Sequence, residues 1–314
     1  MKNKILILLA SYNGGKFIRE QLDSILQQSY TNWELLICDD GSTDNTLEIV
    51  SEYYAKDNRI NVIPKDPKSQ GASQNFGNLL KEALLREWNF VMFADQDDFW
   101  QSNKVKITLD AMLEMQDLDK SPRLVYCDFE YADGQMNALK SETDKNISNW
   151  KEPNLPRLLA QNNIYGCTMM LNRVLAEEVS PIPQWVENHD YWISLVASLT
   201  GEIYHVRERL MLYRQHSNNV SGHYSDNSFK KRFQRYYKKN DKLQVIVKGR
   251  FRMAEELFKR FNEEISESNR KLLVGYSDIE VKNAINRIIF CLKYGIKKDT
   301  PLQSCAFYYL LARM

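Results

Sequence analysis

Short apolar runs separated by stretches of helical periodicity fill the first 130 or so residues, and that alternation leaves few folds open. Residues 4–10 (KILILLA) form a continuous run, as in a parallel strand covered on both faces. Gly14-Gly15 interrupts it, and Phe17, Ile18, Leu22, Ile25 and Leu26 then recur at helical spacing. Residues 33–38 (WELLIC) read as a second strand, and a helix starts at Asp44-Asn45-Thr46. Residues 60–63 give a third strand, and 75–85 a helix with Phe76, Leu79, Leu80, Ala83 and Leu84 on one side. Residues 90–94 and 124–127 are further strands. This βαβα order predicts an α/β fold with a mostly parallel sheet and helices on both faces.

Beyond that, residues 129–163 are polar, with Gly134, Pro153 and Pro156, and read as a long excursion over the face that carries the site. Residues 166–171 look like a returning strand, 189–199 a helix, and 204–206 and 210–213 two short strands. Between 228 and 260 there are twelve basic and three acidic residues, interleaved with Phe229, Phe233, Tyr236 and Tyr237. Such a helix either lies on an anionic membrane or packs its aromatics on the preceding domain. Two domains are expected: 1–225 catalytic, and 226–314 helical, for membrane or subunit association. A formal charge of +1 argues against nucleic acid as a partner. The five cysteines form no C-x-x-C pair, and those in strand-like runs read as small buried hydrophobes in a reducing compartment. No leader-like run and no stretch of about 20 apolar residues is present, so a cytoplasmic chain is expected.

The run at 90–94 ends in Asp95-Gln96-Asp97-Asp98. Three carboxylates so close repel one another, and a cation among them relieves that. In open α/β sheets ligands bind at the carboxyl ends of strands. The acidic tip therefore points to a divalent metal awaiting a phosphate; an acidic turn capping the helix near Lys104 is the plainer alternative. Four more polar clusters sit at strand ends or adjoining loops: Ser11-Tyr12-Asn13, Asp39 to Asp44, Glu187 to Trp192, and Tyr213 to Asn219. G-x-G-x-x-G after the first strand and the P-loop pattern are both absent, so side chains and metal must do the work of a glycine cradle.

Taken in order, ASYNG, ICDDGSTDNT, FADQDDFW, HDYW and YRQHSNNVSG resemble the family 2 inverting glycosyltransferases of the GT-A (Rossmann-like) fold, and within them bacterial cell-wall and capsule rhamnosyltransferases. The resemblance spans about residues 3–225. It implies that Ser11, Tyr12 and Asn13 line the nucleotide, and that Asp40, beside Asp39, hydrogen-bonds the base. Asn75 and Gln96 join the donor site. Asp95 and Asp97 form the D-x-D with Mn²⁺ or Mg²⁺, Asp98 positions the sugar, and His216 is a further metal ligand. Arg214 would meet the diphosphate. Asp190 is the expected catalytic base, because inversion needs a carboxylate to take the acceptor proton; His189 and Trp192 would stand on the acceptor side. Asp44 reads as a turn and helix cap, and His205 as structural.

One departure stands out. Gln74 occupies a place where many relatives carry a basic residue, leaving Lys68 or Arg214 to meet the diphosphate. The implied reaction moves a sugar from a nucleotide-sugar donor, dTDP-rhamnose or else UDP-glucose or UDP-galactose, to a lipid-linked glycan acceptor. The implied place is the inner face of a bacterial plasma membrane, with a homo-oligomer as a further reading. Two other classes fit less well: a nucleotidyltransferase, which usually shows a glycine- and lysine-rich first loop, and a non-catalytic scaffold.

Overall fold

The structure is a computed structural model describing residues 3–67, 69–140, 151–216 and 240–314, with 240–242 as backbone only. The chain divides into two compact units: Met1–Thr143 with Ile164–Ile193 and Gly201–Gln215, and Asp144–Asn163 with Ser194–Thr200 and His216–Met314.

The first unit is built on an eight-stranded sheet. In chain order its elements begin with β1 (Ile5–Ser11), helix α1 (Ile18–Leu26), β2 (Trp33–Asp39), α2 (Thr46–Lys56), β3 (Ile60–Ile63) and α3 (Ala72–Leu84). They continue with β4 (Phe90–Asp95), β5 (Phe99–Trp100), α4 (Lys104–Leu113), β6 (Arg123–Ala132), β7 (Met169–Asn172) and β8 (Glu202–Arg214). The spatial order is β3-β2-β1-β4-β7-β6-β8-β5. β1 pairs in parallel with both β2 and β4, and β6 with β8. β7 runs antiparallel between β4 and β6. Every residue of β1 is buried, as its unbroken apolar run requires. Ile18, Leu22 and Ile25 of α1 are fully buried, so that helix covers the sheet with one stripe.

Register places the chemistry. Ala10 of β1 lies level with Cys38 of β2 and Asp95 of β4, and Ser11 is level with Asp39. Three parallel strands thus end together, and the polar motifs that follow them share one edge.

The expected α/β sheet is present, and several segments differ from the reading of the sequence. Residues 204–206 and 210–213 belong to one strand, β8; the exposed Arg207, Glu208 and Arg209 fall where its pairing with β6 shifts register. A bulge lets one strand carry a polar interruption. β6 runs on to Ala132, because Phe129 and Tyr131 alternate inward while Asp128 and Glu130 are only half-buried. The returning strand starts at Met169, after a 3₁₀ turn at Gly166–Thr168. The helix Arg173–Val179 was not anticipated; Asn172 caps it by accepting from Leu175 N at 3.1 Å.

In the second unit the described helices are Leu155–Ala160, Asn240–Phe261, Glu267–Ser277, Ala284–Tyr294 and Pro301–Ala312. Residues 151–163, expected in a surface excursion, pack within this unit. Tyr276 Oη donates to Leu159 O at 2.9 Å, and Arg250 donates to Ala160 O. Asp299 accepts from Gln161 Nε2 at 3.0 Å and from Lys151 N at 3.3 Å. Residues 228–239 of the basic stretch lie outside the described residues. In its described part, Lys259 pairs with Glu255 at 2.6 Å and Arg260 with Glu256 at 2.8 Å.

Candidate active site

Two groups of side chains stand on the shared strand edge. The first joins the loops after β1 and β2. Asp39 accepts from Ser11 Oγ at 2.8 Å, Gly41 N at 3.0 Å, Ser42 N at 2.7 Å and Ser42 Oγ at 2.6 Å. Asn13, at φ 47°, donates its backbone N–H to Ser42 Oγ and accepts from Thr43 N, both at 2.8 Å. Asp44 accepts from Thr46 N at 3.1 Å and Gly15 N at 3.0 Å, a turn just before the N-cap Asn45 of α2 that also ties down the β1 loop. Asp40 pairs with Lys65 at 2.8 Å and accepts from Gly71 N at 2.8 Å. Asn75 Nδ2 donates to Cys38 O at 2.8 Å, holding the tip of β2 against α3. Tyr12 is more than half exposed above this rim.

Gln96 bridges to the second group. Its Oε1 accepts from Tyr12 N and its Nε2 donates to Tyr12 O, both at 2.9 Å, so the tips of β1 and β4 are stapled together. Gly14 permits this: a Cβ there would lie 2.1 Å from Gln96 Oε1.

The second group is acidic and far less satisfied. Asp95, Asp98 and Cys167 each offer a donor atom, all within 4.8 Å of one another. Asp98 is 1 % exposed; Arg214 N donates to its Oδ1 at 3.3 Å, while Oδ2 has no hydrogen-bond partner. Burial, then the charges of Asp97 and Asp190, pushes Asp95 up to about 7. Asp98 is driven well above the carboxylate range by the same burial and by Asp97 and Asp95. Lys104 lies wholly buried beneath, its ammonium 3.8 Å from the Trp100 ring centroid and bonded to Cys167 O. Burial pulls its pKa down while Asp98 and Asp95 pull it back up. An orphaned buried carboxylate oxygen beside a second carboxylate and a thiol is a donor set that suits a divalent cation.

Asp190 faces the same place. The helix His189–Thr200 begins there, and Gly166 N donates to Asp190 Oδ2 at 3.1 Å. Gly166 adjoins Cys167, and the Asp190 charge is felt by Asp95. His189 is caged: its ring centroid is 4.1 Å from Phe76 and 5.3 Å from Phe93. Its Nε2 has no partner, and burial pulls its pKa down to about 3, so the imidazole is neutral. A Cβ at Gly166 would meet that Nε2 at 2.5 Å, so the glycine allows the ring's approach. Trp192 is fully buried and donates Nε1–H to Val179 O at 3.0 Å, a core position.

Arg214 is 1 % exposed. Its Nε donates to Asp97 O at 2.8 Å and Nη1 to Gly134 O at 2.9 Å; Nη2 meets Glu20, and the guanidinium stacks 4.5 Å from the Phe17 ring centroid. It clamps the Asp97-Asp98 turn. Gln74 Oε1 accepts from Gln70 N at 2.8 Å, and Lys68 lies outside the described residues. His216 belongs to the second unit, and residues 217–219 of its motif lie outside the described residues. His205 is structural, as expected: Nε2 meets Asp128 Oδ1 at 2.7 Å and the ring stacks on Tyr126.

Cys167, Lys104 and Gly166 were not foreseen as parts of the site. Lys104 left a trace, since it shares the buried stripe of α4 with Val105, Thr108, Leu109 and Met112; a lysine in such a stripe needs an internal anion. Cys167 left none, because a cysteine in an apolar run looks like any small core residue.

Comparison with known proteins bears on the family and the fold. Residues 6–179 match the family model described as glycosyl transferase family 2. The dTDP-rhamnosyl transferase RfbG of Shigella flexneri is 30% identical over 72% of this chain and 77% of its own length. The UDP-Glc:alpha-D-GlcNAc-diphosphoundecaprenol beta-1,3-glucosyltransferase WfgD of Escherichia coli is 32% identical over 60% of this chain and 68% of its own. Among solved structures, S. aureus TarS 1-349 in complex with UDP-GlcNAc superposes with a TM-score of 0.56 at 17% identity, covering 93% of this chain and 79% of that one. Against a longer TarS chain the match covers 42% of that chain. The mannosyltransferase PcManGT from Pyrobaculum calidifontis, in complex with GDP-Man and Mn2+, superposes with a TM-score of 0.54 at 14% identity, covering 100% of this chain and 87% of that one. With the family model spanning more than half of its length, this chain belongs to glycosyl transferase family 2 and is a glycosyltransferase of the GT-A fold.

Proposed function

We propose that the chain transfers L-rhamnose from dTDP-rhamnose, with inversion, to a hydroxyl of a lipid-linked precursor of a bacterial surface polysaccharide, at the inner face of the plasma membrane. The observation that carries the transfer chemistry is the convergence of Asp190 on the acidic tip of β4, seen in its hold on Gly166 N and its effect on Asp95. The rhamnose donor rests on the similarity to RfbG. The similarity to a UDP-Glc transferase makes UDP-glucose the second donor to try.

In this reading Asp190 takes the proton of the attacking acceptor hydroxyl, and Gly166 N fixes the carboxylate's direction. The leaving group is a nucleoside diphosphate, which needs no general acid. Asp95 and Asp97 would hold Mn²⁺ or Mg²⁺, with Asp98 behind them. When bound, the ion supplies Lewis-acid neutralisation of the diphosphate. Ser11, Tyr12, Asn13 and Asp40 meet the nucleotide, while Asp39, Asn75 and Gln96 serve the donor by holding that rim in shape. Arg214 is assigned to the Asp97-Asp98 turn rather than to the diphosphate, since its donors are taken up there. His189 and Trp192 set the start of the Asp190 helix from within the core.

Asp190→Asn tests the base. Transfer should fall by roughly 10²–10⁴ while donor affinity, read by calorimetry with Mn²⁺, is kept. Retained transfer would remove Asp190 from the role.

A further inference from the structure

The span from 281 to 298 carries five basic residues and neither Asp nor Glu. It covers the end of the turn Ile279–Val281 and the helix Ala284–Tyr294. One side of that helix is anchored. Arg287 donates to Ile279 O at 3.2 Å, Glu280 O at 2.7 Å and Leu311 O at 2.9 Å, and Cys291 is wholly buried. The other side is bare: Val281 is 86% exposed, Ile285 70%, Ile289 55% and Leu292 61%. Positions 285, 289 and 292 follow i, i+4, i+7 spacing and share one face. Single exposed aliphatics are ordinary, but a continuous row of them on one helix marks a contact surface.

Within the span every charged side chain is basic. Lys293 and Lys297 are exposed, and Lys282 and Lys298 are half-buried. The two acids that border the span are engaged elsewhere, Glu280 with Lys248 at 2.8 Å and Asp299 with Gln161 and Asn163. We infer that this face docks on an anionic lipid bilayer, its aliphatic side chains entering the headgroup boundary and its lysines meeting lipid phosphates. Charge complementarity favours lipid over a second copy: two-fold self-pairing would bring the lysines of both copies to one seam with no Asp or Glu from either span to meet them. No described helix is long and apolar enough to cross a membrane, and in this arrangement the helix lies along the surface. The surface differs from the basic stretch at 228–260 that the sequence suggested.

The test is flotation of the full chain with two kinds of vesicle, phosphatidylcholine alone and equal parts phosphatidylcholine and phosphatidylglycerol. The wild type should float with the anionic vesicles and remain largely free of the neutral ones. Ile285→Ser/Ile289→Ser/Leu292→Ser and Lys293→Glu/Lys297→Glu should each lose at least about tenfold in vesicle affinity, with unchanged thermal melting. Wild type that ignores anionic vesicles, variants that bind as before, or a dimer that only the serine variant dissociates would each overturn the assignment. Metal-dependent hydrolysis of a nucleotide sugar in free solution, measured on the same preparations, should be equal in all three proteins. It reports on the sugar-transfer reading separately, so failure of one does not masquerade as failure of the other.

Discussion

The rim formed by the loops after β1 and β2 and the acidic tip of β4 share one strand edge yet are built on opposite terms. On the rim, Asp39 takes hydrogen bonds from Ser11, Gly41 and Ser42, and Asp44 and Asn13 lock the two loops. Those carboxylates are consumed in holding backbone. At the tip, half-buried Asp95 lies beside the buried Asp98, with one Asp98 oxygen unpartnered and both pKa values driven upward. A satisfied network fixes shape, whereas an unsatisfied one stores electrostatic stress that only an incoming ligand relieves. The rim is therefore the mould and the tip the receptor, and the two should answer mutation with opposite signs.

The strongest break in that contrast is Asp98→Asn. Replacing a carboxyl that folding must desolvate and drive to its protonated form should raise the melting temperature of the metal-free protein. Metal-dependent donor binding should nevertheless weaken by about 10²-fold or more, because a buried anion has been taken from the site. Isothermal titration with and without Mn²⁺, alongside scanning calorimetry, reads both. A variant that is less stable and binds donor normally would show Asp98 to be a structural residue like Asp39.

Acidity offers the next test. Unfolded, Asp95 ionises near about 3.9; folded, at about 7. Between those values the folded state holds the extra proton, so stability of the metal-free protein falls as pH rises through that window. The loss should be on the order of 2 kcal/mol, about 5 °C in melting temperature between pH ~5 and pH ~8. Asp95→Asn should flatten the profile, and saturating Mn²⁺ should stabilise the wild type more at the upper pH than at the lower. An unchanged profile in Asp95→Asn would place the pH dependence elsewhere.

Asp39→Ala probes the other region. It strips the acceptor from Gly41 N, Ser42 N and two hydroxyls. Stability should drop by about 1–3 kcal/mol at every pH and with or without metal, and donor KM should rise. Urea denaturation checks the first and initial rates the second; a loss confined to the metal-bound state would contradict the contrast.

How legible this was depended on where each signal lies. The parallel half of the sheet could be read because β1 and β4 are buried almost throughout and so are apolar up to their last residue, and β2 is apolar from Leu35 to Cys38 after a single half-buried Glu34. β8 could not, since its exposed Arg207 to Arg209 break the pattern at a bulge that pairing with β6 alone explains. The acidic motif was visible as a motif, but its partners were not. Cys167 meets Asp98 across 69 positions of sequence because β7 turns back beside β4, and no local period encodes that. Asp190 was found through its motif; that Gly166 N would hold it depended on a 3₁₀ turn that no composition announced.

The smallest effect probes the seam between the two regions. Gln96→Ala removes both bonds to the Tyr12 backbone, and should destabilise by about 1 kcal/mol. Gly14→Ala should do nearly the same by another route, since its Cβ would sit 2.1 Å from Gln96 Oε1 and push that flexible side chain off Tyr12. If the staple is the only thing the glycine protects, the double variant loses no more than Gln96→Ala alone, and the cycle shows a coupling of about 1 kcal/mol. Additive losses would mean that Gly14 serves the β1 loop independently of Gln96. The seam would then belong to the rim alone, and the tip of β4 would have to be held in register by the Arg214 clamp on Asp97 and Asp98.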